Sequence, residues 1–290
     1  IQQELHLVDQ HIAYRMLWGE VVDIMATSVS VLQSMFNENC VGNILERGKA
    51  VFSNVQDFND FKAPSKELSF SASQCGPPNV LGWLLNVLHF IAQVKDEMDT
   101  DNWDQACALL HDRPHTEFRR LTPVVAEYLL ELTTLADQEL VRQVCKTAIT
   151  TGQPSGELGL MDVSTLDLVP LEKAIEVCAV KGCPTPHLEQ LLNSVTVVLD
   201  LRRALLAEDW GGVASVCVAA QSAQLVEESR LEVQRVCSEL QHRECIADIV
   251  RYIEEGALLP EVGSTQSDLL AITNLESAVS RAQPLAGLND

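Results

Sequence analysis

Basic residues are scarce in this sequence. Its 290 residues include 20 Lys and Arg against 41 Asp and Glu, which gives a formal net charge of −21. Nucleic acids and anionic lipid headgroups are bound by clusters of positive charge, and they repel an acidic chain. We therefore expect no nucleic acid partner, and we expect the protein partners to have basic surfaces.

Long apolar runs are also missing. A membrane-spanning helix needs about 18 or more apolar residues in succession, and the most apolar stretches, 21–32 and 191–201, are interrupted by polar side chains. The first ten residues, IQQELHLVDQ, lack the basic start and apolar core of a secretory signal. No membrane insertion is expected, and the expected location is cytoplasmic.

Cysteine is present, but not in a pattern that indicates disulfides. An odd number of cysteines, spread evenly through a chain of this length, is typical of reduced thiols in an intracellular protein. Several lie on apolar stripes, so we expect them to be buried. The nine are Cys40, Cys75, Cys107, Cys145, Cys178, Cys183, Cys217, Cys237 and Cys245.

Catalytic motifs are lacking as well. The stretch GNILERGK at 42–49 suggests a phosphate-binding loop, but five residues separate its glycines instead of four, and Ala50 replaces the required Ser or Thr. A glycine turn that ends a helix explains this stretch better. No nucleophile-elbow, kinase or dinucleotide-binding pattern occurs in the sequence.

The metal-ligand spacings are equally weak. Pro114 interrupts the first of three candidate pairs, and the other two lack the paired CxxC spacing of a structural zinc site. The candidates are His111 with His115, Cys178 with Cys183, and His242 with Cys245. We therefore assign no catalytic, cofactor-binding or metal-ligating residue, we expect no cofactor, and we do not expect an enzyme.

An internal repeat is present. When the chain is shifted along itself so that Trp103 falls on Trp210, the two copies match without a gap. We call this shift the tryptophan offset. Chance similarity between amphipathic helices is the alternative, but Pro, Asn and Trp are not part of the generic helical pattern. The aligned pairs are Pro77/Pro184, Leu81/Leu188, Leu84/Leu191, Leu85/Leu192, Asn86/Asn193, Ile91/Val198, Val94/Leu201, Met98/Leu205 and Trp103/Trp210.

The repeat continues at slightly different offsets. At an offset of 105, apolar positions still coincide, as in Val141 with Ile246 and Ala148 with Ile253. At an offset of 104, 274–287 matches 170–183 and begins a third copy. The predicted domains are an N-terminal helical segment and loop (1–62), repeat unit 1 (63–167), repeat unit 2 (168–267) and the start of a third unit (268–290). Because this third copy has only begun, we expect a fragment of a longer protein.

The apolar residues of the second copy have helical spacing. Leu188, Leu191, Val195 and Leu199 share one face of a helix and cannot share one face of a strand. The predicted fold class is all-α, a tandem helical repeat of the α-solenoid type with a unit of about 105 residues and no central sheet. The predicted helices of the second copy are 168–181, 186–207, 210–222, 225–242 and 244–257.

Other elements follow from local signals. The sequence predicts a long helix over 1–36, a loop with one short helix over 52–80, and linkers at 150–166 and 256–267. Thr100 or Asp101 in the first copy and Asp209 in the second are expected to cap the helix that carries the repeated Trp. The buried Trp ring is then expected to fix the corner between two helices.

The stretches LEKAIEVCAVKGCPTPHLEQLL (171–192) and LDLRRALLAEDW (199–210) resemble the long α-helical repeat segments of large scaffold proteins, including those of protist cytoskeletons and cilia. This resemblance implies a scaffold or spacer and supplies no functional residue.

The expected function is a non-catalytic helical-repeat scaffold that mediates protein–protein interaction within a larger cytoskeletal or ciliary protein. Two alternatives stay open at this point. One is a nucleotide- or metal-dependent enzyme or regulatory domain whose site is not visible in sequence. The other is a coiled-coil oligomerisation module formed by 1–36.

Overall fold

The computed structural model describes 2–52, 58, 61–62, 64, 75–119, 122–154 and 163–257, together with 273–274, 276–277 and 279–280; the side chains of 2–7 and 255–257 are outside this description. Helices, turns and short irregular connections make up these residues, with no strand among them. The predicted all-α class is therefore confirmed.

Ten α-helices account for most of the described chain. Short 3-10 turns lie at His115–Glu117 and Val163–Thr165. The helices are α1 (Gln2–Met25), α2 (Val29–Asn37), α3 (Cys40–Val51), α4 (Pro78–Asp99), α5 (Trp103–Asp112), α6 (Pro123–Thr150), α7 (Val169–Lys181), α8 (Pro186–Leu206), α9 (Trp210–Ser222) and α10 (Glu227–Ala257).

The chain forms two compact bodies. The first body is Ile1–Leu140 and the second body is Val141–Asp290, so the division falls within α6. This division rests on contacts and does not test where one sequence repeat ends and the next begins. The predicted units 63–167 and 168–267 therefore stay predictions. Most of the predicted loop and linkers, and much of 268–290, lie outside the described residues.

In the first body, α4 is the central helix. It begins at Pro78, where a proline suits the first helical turn because no backbone N–H is needed there. It packs against α1, α3 and α5, which cover it on several sides and bury residues all round its circumference. Over 80–91 almost every residue of α4 is buried, and a helical segment that is apolar on every face is stable only in such a covered position.

The predicted helix over 1–36 is wrong in its extent. α1 ends at Met25, a turn follows, and α2 begins after Ser28. The inner face of α1 is buried through Leu17, Trp18 and Val21, so this helix belongs to the core of the first body. A continuous helix would carry 29–37 away from α3, against which α2 packs instead.

The predicted glycine turn at 42–49 is also wrong, because both glycines lie inside α3. Gly48 is buried against α4, and a Cβ at this position would stand 2.8 Å from a methyl carbon of Leu85. The glycine serves close helix packing here, at the expense of about 1 kcal/mol of helix propensity relative to Ala.

Tyr128 on α6 has a buried ring 5.9 Å from that of Phe36. Burial, followed by the carboxylates of Glu131 and Asp99, raises the pKa of Tyr128 from 10.0 to about 12. Between these two pH values the unfolded chain loses a phenol proton that the folded chain keeps. The free energy of unfolding therefore falls as pH rises through this window.

We expect Tyr128→Phe to lose stability less steeply than the natural chain between pH 10 and 12, measured by urea unfolding with circular dichroism. Near neutral pH it should be at least as stable, because no described residue is within hydrogen-bonding reach of the buried Tyr128 hydroxyl. Tyr252→Phe in the second body is the control. Identical alkaline slopes for the Tyr128 variant and the natural chain would contradict the assignment.

In the second body, α8 is the central helix and packs against α7, α9 and α10. The predicted ends of the first three helices of this copy agree with the structure to within one residue. The predicted break at 243 is wrong, because α10 continues from Glu227 to Ala257. No Gly or Pro interrupts it there, and Arg243 Nε donates to Glu239 Oε1 one turn earlier at 2.9 Å.

The corner between α4 and α5 has the same backbone geometry as the corner between α8 and α9. At each corner a residue with positive φ follows the helix, Asp101 at 58° and Glu208 at 53°. The hydrogen bonds also coincide at the tryptophan offset. They are Asn102 N to Glu97 O and Asp209 N to Ala204 O, both 2.9 Å, and Asp101 N to Met98 O and Glu208 N to Leu205 O, both 3.1 Å.

The capping predictions are half right. Asp209 caps α9, with its carboxylate accepting from Gly212 N at 2.9 Å. In the first copy the residue before the helix is Asn102 rather than Thr100 or Asp101, and its side chain donates to Glu97 Oε2 instead. Asp101 cannot serve as the cap because it holds the left-handed conformation that ends α4.

Both repeated tryptophans begin a helix, as expected, but neither ring is fully buried. Trp103 and Trp210 are half-buried. The Arg243 guanidinium lies 4.0 Å from the centre of the Trp210 ring, a cation–π contact that covers one face. The fully buried tryptophan of α4 is Trp83, which the repeat did not single out.

Candidate interaction surface

The cysteines are all free thiols, and five of the nine are buried. Cys75 is exposed, contrary to expectation, and three others are half-buried. The Sγ atoms of Cys145 and Cys178 lie 3.5 Å apart. The hydrogen bond to Cys145, followed by burial, raises the pKa of Cys178, so this thiol remains protonated, whereas the same hydrogen bond lowers the pKa of Cys145. Protonated thiols are poor metal ligands and poor nucleophiles.

The histidine candidates do not converge on a site. His111 lies on α5 with its Nε2 atom 3.5 Å from Asp137 Oδ1, whereas His115 starts the following 3-10 turn. No cluster of three or more His, Cys, Asp or Glu side chains able to hold a metal ion occurs within the described parts of the chain. His242 and Cys245 both lie within the continuous helix α10.

The most prominent polar group inside the protein is one that sequence reasoning missed. Arg202 of α8 is completely buried and pairs with Glu232 of α10, each guanidinium-to-carboxylate distance being 2.8 Å. The same guanidinium donates to three backbone carbonyl oxygens, at Ile149 (3.0 Å), Thr151 (2.7 Å) and Asp167 (3.3 Å). With its donors directed at protein atoms, this group stabilises the fold and presents nothing to a substrate.

The ion pair is specific to the second body. Arg202 is aligned with Lys95 at the tryptophan offset, and Glu232 is aligned with Glu127 at the offset of 105. Lys95 is half-buried and Glu127 is exposed. The two aligned segments therefore share the geometry of their corners and several buried apolar positions, but not this interaction.

Two surfaces could contact another protein. The first is an open groove of about 850 Å³ in the second body, where five glutamines supply amide donors and acceptors: Gln190, Gln221, Gln224, Gln234 and Gln241. The second, which we call the acidic corner, surrounds the α4–α5 turn in the first body. It consists of four exposed carboxylates, Asp96, Asp99, Asp101 and Asp104.

A third feature is apolar. Ile246, Val250 and Ile253 lie at i, i+4 and i+7 on one side of α10 and are 46%, 47% and 54% exposed. We call these three residues the α10 stripe. Isolated apolar residues are normal on a surface, but aligned ones on a single helical face are typical of a contact surface.

The described helices include none that is long and apolar enough to cross a membrane. The described residues define an all-α protein. Comparison with known proteins places the chain no further, since no family model, curated protein or solved structure matches it.

Proposed function

We propose that this chain is a non-catalytic helical-repeat scaffold that binds other proteins and belongs to a larger cytoskeletal or ciliary protein of the cytoplasm. The observation that carries the proposal is the recurrence of the helix corner at the tryptophan offset, with the same left-handed residue and the same hydrogen bonds. This bond pattern is a common way for a helix to end. What supports a repeat is that both corners fall at the tryptophan offset and that each places a non-glycine residue, Asp101 or Glu208, in the left-handed conformation, which is uncommon.

Burial supports the same repeat. Eight pairs of apolar positions at this offset are buried in both copies, although the two bodies differ in the helices that surround them. A repeated unit keeps its internal core and varies its surface. The pairs are Leu81/Leu188, Leu84/Leu191, Leu88/Val195, Ile91/Val198, Val94/Leu201, Met98/Leu205, Ala106/Val213 and Leu110/Cys217.

The chemistry of the surface supports a protein partner. A net charge of −21 attracts basic proteins over distances of about a Debye length, ~8–10 Å in physiological salt. At the acidic corner this charge is concentrated on exposed side chains of one turn. Such complementarity mainly increases the rate of association and selects among partners.

We expect the triple variant Asp96→Lys, Asp99→Lys, Asp104→Lys to lose most of the basic proteins that the natural chain captures from cell extract. The loss is measured by quantitative mass spectrometry of the captured proteins at two salt concentrations. Asp101 is left unchanged because it holds the left-handed turn. A captured set that is insensitive to salt and to this variant would contradict the proposed partner class.

The matched control changes the net charge by the same amount in the second body. Glu176→Lys, Glu189→Lys and Asp200→Lys alter three exposed carboxylates that are not part of the acidic corner. If capture depends on the acidic corner, this control retains its partners. Equal losses in both variants would instead indicate a response to overall charge.

A further inference from the structure

The α10 stripe has a counterpart on α6 that is fully buried. At the repeat offset of 105, Ile246, Val250 and Ile253 correspond to Val141, Cys145 and Ala148. Each of these three α6 residues is 0% exposed. The same positions of the repeat are thus covered on one helix and open on the other.

Residues of α7 and α8 cover these three positions of α6. Val141, Cys145 and Ala148 form a single apolar cluster with residues of α7 and α8, the two helices that follow α6 in the chain. From α7 the cluster includes Leu171, Ala174 and Cys178, and from α8 it includes Leu188, Leu191, Val195, Val198 and Leu199. One helix pair therefore covers the end of the preceding long helix.

The α10 stripe is exposed, but its residue types are those of a buried helix face. Its three positions carry Ile, Val and Ile, each β-branched and apolar, while Glu244, Asp248 and Arg251 lie beside them on the helix. Burial of such half-exposed side chains is favourable in proportion to the apolar area that it removes from water. A solvent-facing helix surface would have polar residues at these places.

We infer that the α10 stripe is the docking face for a helix pair that repeats the pattern of α7 and α8. The occupant is a further copy of the repeat, so the inference rests on the proposed repeat scaffold and specifies how its copies are joined. Contact between successive copies through the end of one long helix would bury the stripe as the α6 positions are buried.

The chain's own sequence after α10 fits the first helix of such a pair. At an offset of 104, 273–280 corresponds to 169–176 at the start of α7. Its described residues are helical, and Thr273, Glu276, Ser277 and Ser280 are exposed, as are Val169, Glu172, Lys173 and Glu176 of α7. The positions of Leu171 and Ala174, which are buried in α7, carry Leu275 and Ala278 in the sequence.

The test extends the full chain in register. The first residue of a continued repeat would correspond to His187, so a second copy of 187–257 is appended after Asp290. Val250→Cys is introduced in the natural and the extended chain, which places a thiol where α6 has Cys145. Alkylation of this introduced thiol is then followed by mass spectrometry of its peptide, with exposed Cys75 and buried Cys145 as internal references.

The introduced thiol should react about as fast as Cys75 in the natural chain and at least tenfold more slowly in the extended chain, because access to a covered site requires local opening. A second extended chain carries Leu188→Ser, Leu191→Ser and Val195→Ser in the appended copy only, and the introduced thiol should react rapidly again. Fast reaction in the first extended chain overturns the inference. An appended copy that stays unfolded by circular dichroism also overturns it, because a docked pair would fold as α7 and α8 do.

Two further outcomes identify other occupants and also overturn the inference. Protection of the introduced thiol in the natural chain that grows with protein concentration would show that a second copy of this chain covers the stripe. Protection by the appended copy with the broken apolar face would show non-specific shielding. None of these results depends on the acidic corner, so failure here leaves the partner-capture experiment as a separate test of the scaffold itself.

Discussion

Replacing Arg202 with Met is expected to lower the free energy of unfolding of the second body by about 3–5 kcal/mol. The substitution leaves the Glu232 carboxylate buried without its cation and removes the donors from three backbone carbonyl oxygens. Uncompensated buried polar groups of this kind are among the few causes of such large single-residue effects. Urea unfolding and hydrogen exchange of the α8 and α10 amides measure the loss.

The neighbouring arginine is a matched control. Arg203 has an exposed side chain paired with the equally exposed Glu172 at 2.7 Å. Arg203→Met should change stability by less than about 1 kcal/mol, since exposed ion pairs contribute little. Similar losses for both arginine variants would contradict the role given to the buried pair.

A double variant separates the ion pair from the carbonyl contacts. Arg202→Met with Glu232→Leu removes both charges and should recover part of the lost stability. Full recovery is not expected, because the carbonyls of Ile149, Thr151 and Asp167 still lack their donors. A double variant less stable than Arg202→Met alone would show that the carboxylate stabilises the fold without its partner.

Replacing Trp83 with Ala is expected to destabilise the first body by about 3–5 kcal/mol. Trp83 is 1% exposed, and its ring stacks on that of Phe118 with centres 6.5 Å apart. Phe118 in turn contacts Phe90, and the Arg113 guanidinium lies 5.4 Å from the centre of the Phe118 ring. Removing the indole leaves a cavity that this packed cluster cannot fill without distorting several neighbours.

The comparison with Trp103 makes the prediction specific. Trp103 is half-buried at the first position of α5, so Trp103→Ala should lower stability by only about 1 kcal/mol. Both changes lie in the first body, and urea unfolding of the two variants gives the difference directly. A larger loss for Trp103 than for Trp83 would mean that the repeated tryptophan does fix the corner through burial.

Local signals in the sequence were sufficient for the central helices. Proline at the start of α8 and leucines at helical spacing gave its position to within one residue. The apolar stripe of α8, continued past Leu199 at the same spacing, reaches Arg202. The sequence therefore already showed a charged residue on a face predicted to be buried. Its partner was not, because Glu232 lies two helices further along the chain, on α10, and no spacing rule joins the two.

Burial could not be read from the repeat alone. Val141 and Ile246 are aligned at the predicted offset of 105 and are both apolar, yet the first is buried and the second exposed. Residues of α7 and α8 cover Val141, and such tertiary packing is not specified by the spacing of apolar residues within one helix. The same limit applies to the tryptophans. Their similar sequence surroundings correctly predicted that Trp103 and Trp210 each begin a helix, but not that both rings are only half-buried.

α6 contributes buried side chains to both bodies, including Leu132 and Ala136 before the division and Val141 and Cys145 after it. A helix that serves two cores makes their unfolding interdependent, because melting it for one removes a wall of the other. In a longer array of the kind proposed above, each long helix would couple the unfolding of one unit to the unfolding of the next. Heat or mechanical load would then disrupt such an array in cooperative blocks of several units rather than one unit at a time.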